Sequence, residues 1–148
     1  MERGLKEIGN VDQVEGSFVC DNSGDVILSS TPAVLATATM ATIGREVVRT
    51  FEAMKAADRP ITRLEFDYGT WRLFARDIGD ALLLVVCQPG TDMPFLRMTI
   101  DIVASGWRKD PAAQKLLASR RAERRELIKP DNLDDASRKT WRLIDSRA

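Results

Sequence analysis

The chain has 148 residues, 44% of them hydrophobic. That predicts one compact domain burying roughly 68–70% of its unfolded surface without a disulfide or metal staple. It carries 22 basic and 22 acidic side chains and no histidine, so the commonest general base and the commonest zinc ligand are both missing. Cys20 and Cys87 are too few to complete a four-ligand Cys/His zinc site. The zero net charge hides an asymmetry: residues 1–107 carry 10 basic and 15 acidic groups, net −5, whereas residues 108–148 carry 12 and 7, net +5.

In chain order, residues 2–12 predict a short helix, with Leu5 and Ile8 on one face. Gly16 to Asp21 and Asp25 to Ser29 read as two strands, and Asn22-Ser23-Gly24 between them makes a hairpin. Ser29-Ser30-Thr31-Pro32 carries helix-start chemistry, and Asp58-Arg59-Pro60 stops a helix predicted from Ala33 to Ala57. Its second half has a core stripe of Val47, Val48, Phe51 and Met54. Its first half has a row of small residues, Ala33, Thr37, Ala41 and Gly44. Such a row lets a second helix approach closely, or packs against the chain's own sheet; spacing leaves both open.

Three strands follow. Ile61 to Tyr68 alternates apolar and polar residues, as an edge or singly covered strand does. Trp71 to Ile78 comes next. The run Ala81 to Cys87 is apolar on both faces and belongs in the middle of the sheet, so the hairpin of residues 17–29 must return to its far side. After Gln88-Pro89-Gly90, a helix from Met93 to Trp107 presents Leu96, Ile100, Val103 and Trp107 to the sheet. Gly106 and Asp110-Pro111 mark the end of the domain, 1–107, and the start of a basic extension, 108–148. That extension predicts a helix from Ala112 to Ile128 and a shorter one from Asp134 to Ile144, with Leu133, Trp141 and Ile144 able to dock.

The longest apolar run is seven residues, against about 20 needed to span a bilayer. Met1-Glu2-Arg3-Gly4 lacks signal-peptide chemistry, so the expected location is cytoplasmic. There is no Gly-rich phosphate loop and no Gly-x-Ser-x-Gly elbow, and any serine nucleophile would lack a histidine base. Asp21, Asp25, Asp58, Asp80 and Asp92 all fall in predicted turns, and the two cysteines read as small buried hydrophobes, a redox pair between neighbouring strands being the alternative. No catalytic residue, cofactor or metal is assigned. In the extension, Arg120, Arg121, Arg124 and Arg125 form two like-charge i,i+4 pairs that call for compensation by solvent, by the domain or by an acidic partner. Glu123 and Glu126 interleave with them and no aromatic platform is near, which argues against nucleic acid.

The stretch Val14-Glu15-Gly16-Ser17-Phe18-Val19-Cys20-Asp21-Asn22-Ser23-Gly24-Asp25-Val26-Ile27-Leu28-Ser29 resembles the opening hairpin of the Roadblock/dynein light chain superfamily. Ile78 to Val86 and the helix bearing Leu96-Arg97 resemble that family's closing strand and helix, so the likeness covers about residues 3–107. The resemblance implies an α+β, profilin-like three-layer sandwich: a five-stranded antiparallel sheet, last strand central, helices on both faces. It implies a homodimer in which Arg63, Leu64, Glu65 and Phe66 of the edge strand pair with a second copy and the Ala33/Thr37/Ala41/Gly44 row faces the partner helix. It also implies a non-catalytic regulator of a small Ras-like GTPase. A structural adaptor using Arg120, Arg121, Arg124, Arg125 and Trp141 to dock is the alternative, and a profilin-like small-molecule sensor a third.

Overall fold

Alternation along the strands and unbroken apolarity in the last of them set the sheet order. The computed structural model describes residues 1–30 and 37–127. Helix α1, Glu2–Gly9, leads into strands β1, Val14–Asp21, and β2, Val26–Ser30. Helix α2, Thr37–Ala56, follows, then β3, Arg63–Asp67, β4, Arg72–Asp77, and β5, Ala81–Cys87. Helices α3, Met93–Lys109, and α4, Pro111–Leu127, complete the described part. The sheet is antiparallel throughout, in the order β2-β1-β5-β4-β3. The last strand is therefore central, and all seven of its residues are buried, as a strand apolar on both faces requires.

The two faces have separate cores. On one, Val19, Phe74, Leu83 and Val85 meet Leu5 and Ile8 of α1, and Leu96, Ile100, Val103 and Trp107 of α3. On the other, Phe18, Cys20, Leu73, Leu82, Leu84 and Val86 meet Met40, Val47 and Phe51 of α2. Each large apolar side chain so buried contributes about 1.5–3 kcal/mol. The expected three-layer α+β sandwich is thus present.

Local chemistry explains the turns and several boundary shifts. Asp21 Oδ1 accepts from the backbone N–H of Ser23 at 2.9 Å and of Asp25 at 3.1 Å, closing the β1–β2 turn around Gly24, whose φ is +89°. The helix expected over 33–57 is described from Thr37, positions 33–36 lying outside the described residues, and it ends at Ala56. It stops through backbone geometry ahead of Pro60: Asp58 takes φ +59°, the Asp58 N–H bonds to Lys55 O and the Arg59 N–H to Met54 O. That is a Schellman motif with Asp in the place usually held by Gly. α1 is shorter than the expected 2–12, and α3 runs two residues past Trp107. Asp92 caps α3 by accepting from Phe95 N–H at 3.1 Å.

The extension does not begin in solvent. Asp110 Oδ1 accepts from Ala112 N–H at 3.0 Å; Asp110 alone separates α3 from α4, whose Ala113 and Leu117 are buried in the α1/α3 core. The second tail helix, with Leu133, Trp141 and Ile144, lies outside the described residues.

Candidate functional site

Among the described residues the sheet order gives β3 a neighbour, β4, on one side only. Its residues alternate: Leu64 and Phe66 are half-buried on the α2 face, while Arg63, Glu65 and Asp67 are exposed on the α3 face. The register Leu64↔Ala75 and Phe66↔Leu73 puts the two apolar side chains beside the α2-side core. The outer backbone groups of an edge strand are a template for another strand.

Two ion pairs pin this edge to α3. Arg97 holds Glu65 through two parallel bonds, Nε to Oε1 at 2.5 Å and Nη2 to Oε2 at 2.8 Å. Arg76 of β4 bonds Asp101. The Arg97 hydrogen bonds hold the Glu65 carboxyl below its ordinary range, aided by the charges of Arg97, Arg63 and Arg72 and opposed by partial burial. At the hairpin end Tyr68 stacks on Trp71, ring centroids 4.2 Å apart, with Phe66 6.2 Å from Tyr68. Phe66, Tyr68 and Trp71 thus form an aromatic cluster beside the free edge, and Tyr68 is 48% exposed. The sequence reading missed this cluster, although the Gly69-Thr70 turn brings positions 68 and 71 together.

The small row of α2 divides. Gly44 is buried inside the protomer, where a Cβ would lie 2.9 Å from Gly24 O and 3.5 Å from Cys20 Sγ. Ala41 is half-buried, and Ala38 and Thr42 beside it are exposed. The side chains of Ala33 and Thr37 lie outside the described residues. Those of Arg120, Arg121, Arg124 and Arg125 do too, although these positions belong to α4, and Trp141 falls beyond the described segment.

The cysteines cannot pair. Cys20 stands opposite Leu82 and Cys87 opposite Val14, so they lie at different ends of the β1–β5 ladder, and they belong to the cores on opposite faces. Burial, with Asp21 and Asp25 nearby, pushes the Cys20 thiol up to about 12; burial also raises Cys87. Among the described residues no group of three or more His, Cys, Asp or Glu could hold a metal ion, and no helix is long and apolar enough to cross a membrane. The arrangement offers surfaces for contact: an unpaired strand edge, an aromatic cluster and a small-residue helix face.

No protein-family model and no curated protein matches the chain. Solved structures do. A Roadblock/LC7 domain from Streptomyces avermitilis superposes with a TM-score of 0.64 at 12% identity, over 73% of this chain and 94% of that one. MglB of Myxococcus xanthus gives 0.63 at 13% identity, over 72% and 90%. The gliding protein MglB of Thermus thermophilus gives 0.63 at 13% identity, over 80% and 88%. Identities this low speak for architecture, and the architecture is unambiguous: the chain has the Roadblock/LC7 fold.

Proposed function

We propose that the chain is a homodimeric, non-catalytic regulator that binds a small Ras-like GTPase and modulates its GTP cycle. The observation that carries the reading is the free β3 edge, held in place by the Glu65–Arg97 pair and lined by Leu64 and Phe66, on a Roadblock/LC7 fold. The hairpin resemblance in the sequence points to the same family, whose bacterial and archaeal members are commonly partners of such GTPases. In this reading β3 pairs with β3 of a second copy through Arg63, Leu64, Glu65 and Phe66. The first half of α2 approaches its counterpart through Thr37 and Ala41, with Ala38 and Thr42 exposed alongside; Ala33, expected in the same row, lies outside the described residues. Residues 1–107 form the regulatory unit and 108–148 the extension that distinguishes it.

A structural adaptor is the second reading, favoured by α4. Among its described side chains Ala113 and Leu117 are buried anchors, and the helix continues to Leu127 through Arg120, Arg121, Arg124 and Arg125. The test is direct. The protein is mixed with the Ras-like GTPases encoded beside its gene, each loaded with GDP or a GTP analogue, and binding and GTP turnover are measured. Nucleotide-state-dependent binding is expected. Absence of binding in both states overturns the GTPase reading, and capture that depends on the arginines but not on nucleotide favours the adaptor.

A further inference from the structure

Helix α3 uses its inner face completely: Leu96, Ile100, Val103, Ala104 and Trp107 are buried against the sheet and α1. Its outer face carries a second apolar row that none of the described residues covers. Phe95 is 49% exposed, Met98 52% and Ile102 62%. They stand at i, i+3 and i+7, and Ser105 and Gly106 continue the same face as a low shelf. Gly106 lies inside a helix, where glycine costs about 0.5–1 kcal/mol relative to alanine. Yet a Cβ there would meet nothing within 4 Å. None of the described residues uses the room that glycine leaves.

We propose that this face is a second self-association surface, on which α3 of one copy packs antiparallel to α3 of another about a two-fold axis level with Ile100. The pattern is self-complementary under that operation. Phe95 and Ser105 each lie five residues from Ile100, about 7.5 Å along the helix, so the large ring of each copy comes level with the small shelf of the other. Met98 comes level with Ile102. Lys109, in the last turn, comes within one residue's rise, about 1.5 Å, of the level of the exposed Asp92 carboxylate at the opposite N-terminus, and the two helix dipoles oppose each other. A closed two-fold contact of this kind is isologous, each copy giving and receiving the same groups. The surface lies on the helical layer opposite α2, so it does not compete with the β3 edge, and the inference does not rest on the proposed function.

Sedimentation velocity on the full chain, from low micromolar to several hundred micromolar, tests it. The wild type should associate with rising concentration. Gly106→Arg fills only the open space, and Ile102→Glu places a charge on the exposed row. Each should weaken that association by about tenfold or more, without lowering the thermal midpoint. Ser105→Cys mixed with Phe95→Cys should give the mixed disulfide dimer under mild oxidation, whereas Ser105→Cys alone should not cross-link; native Cys20 and Cys87 are buried. Association unchanged in both surface variants overturns the proposal, as does preferential 105–105 linkage. An unchanged mass with faster hydrogen exchange in 128–148 on Ile102→Glu also overturns it, since the chain's own end would then be the occupant. Loss of dimers in Phe66→Asp but not in Gly106→Arg separates failure here from failure at the β3 edge.

Discussion

Gly44 of α2 rests on Gly24 of the β1–β2 turn, so close that a β-carbon at position 44 would stand 2.9 Å from the Gly24 carbonyl oxygen. The contact is backbone against backbone. It runs both ways: a Cβ at Gly24 would lie 2.7 Å from the Arg45 nitrogen. Helix and hairpin are thereby locked together over Cys20, and glycine at 44 is required by the monomer. Gly44→Ala should cost about 1–3 kcal/mol despite the better helix propensity of alanine, read as a lower urea midpoint with unchanged slope. A neutral or stabilising result would mean the turn can move away.

A second close approach joins α1 to α3. A Cβ on Gly4 would stand 2.6 Å from Val103 Cγ1 and 2.8 Å from Trp107 Nε1. Gly4→Val should therefore pry α1 off its neighbour, costing about 1–3 kcal/mol. Hydrogen exchange should rise over Glu2–Gly9 and leave β5 protected.

The Glu65–Arg97 clamp makes stability depend on acidity. The native carboxyl titrates below its unfolded value, so its contribution is complete above the ordinary carboxylate range and is lost as pH falls through the depressed native pKa. The pair is at the surface, and screening limits Glu65→Gln to about 0.2–1 kcal/mol. Urea melts at neutral and acidic pH should show a wild-type advantage that shrinks on acidification; a constant difference would contradict the assignment.

Cys20 behaves in the opposite sense. Its thiol, pushed from 9.0 to about 12, stays protonated in the fold while the unfolded thiol ionises, so stability falls as pH rises across that window. Iodoacetamide at neutral pH should leave both cysteines unmodified in the native protein and alkylate both in denaturant. Native labelling of Cys20 would contradict its burial.

Much of this was legible in the chain because it is local or periodic. The unbroken Ala81–Cys87 run placed its strand at the centre, alternation over Ile61 to Tyr68 fitted an edge or a singly covered strand, and Gly24 marked a turn. What spacing cannot carry is direction. Gly44 sits in a row of small residues that fits an inner or an outer face equally, and only the approach of Gly24 decides between them. Glu65 and Arg97 are 32 residues apart and have no local signature. The outer row of α3 was masked because the inner row alone satisfies a helical period. The end of α2 was assigned to Asp58-Arg59-Pro60 as a group, and within it the positive φ at Asp58 ends the helix first.

The free edge of β3 yields the prediction most directly tied to assembly. Phe66 is half-buried on the α2 face of that edge, beside Tyr68 and Trp71, and Leu64 lies two residues before it on the same face. A carboxylate there would bring like charges together across a two-fold strand pair and would be desolvated on pairing. In a lone protomer it keeps access to solvent. Phe66→Asp should therefore dissociate a β3-paired dimer while costing the protomer roughly 1–2 kcal/mol in lost apolar contact. Light scattering reads the mass, and circular dichroism reads whether the sheet survives. A folded monomer supports edge pairing, and a dimer that persists with the fold intact places the contact elsewhere.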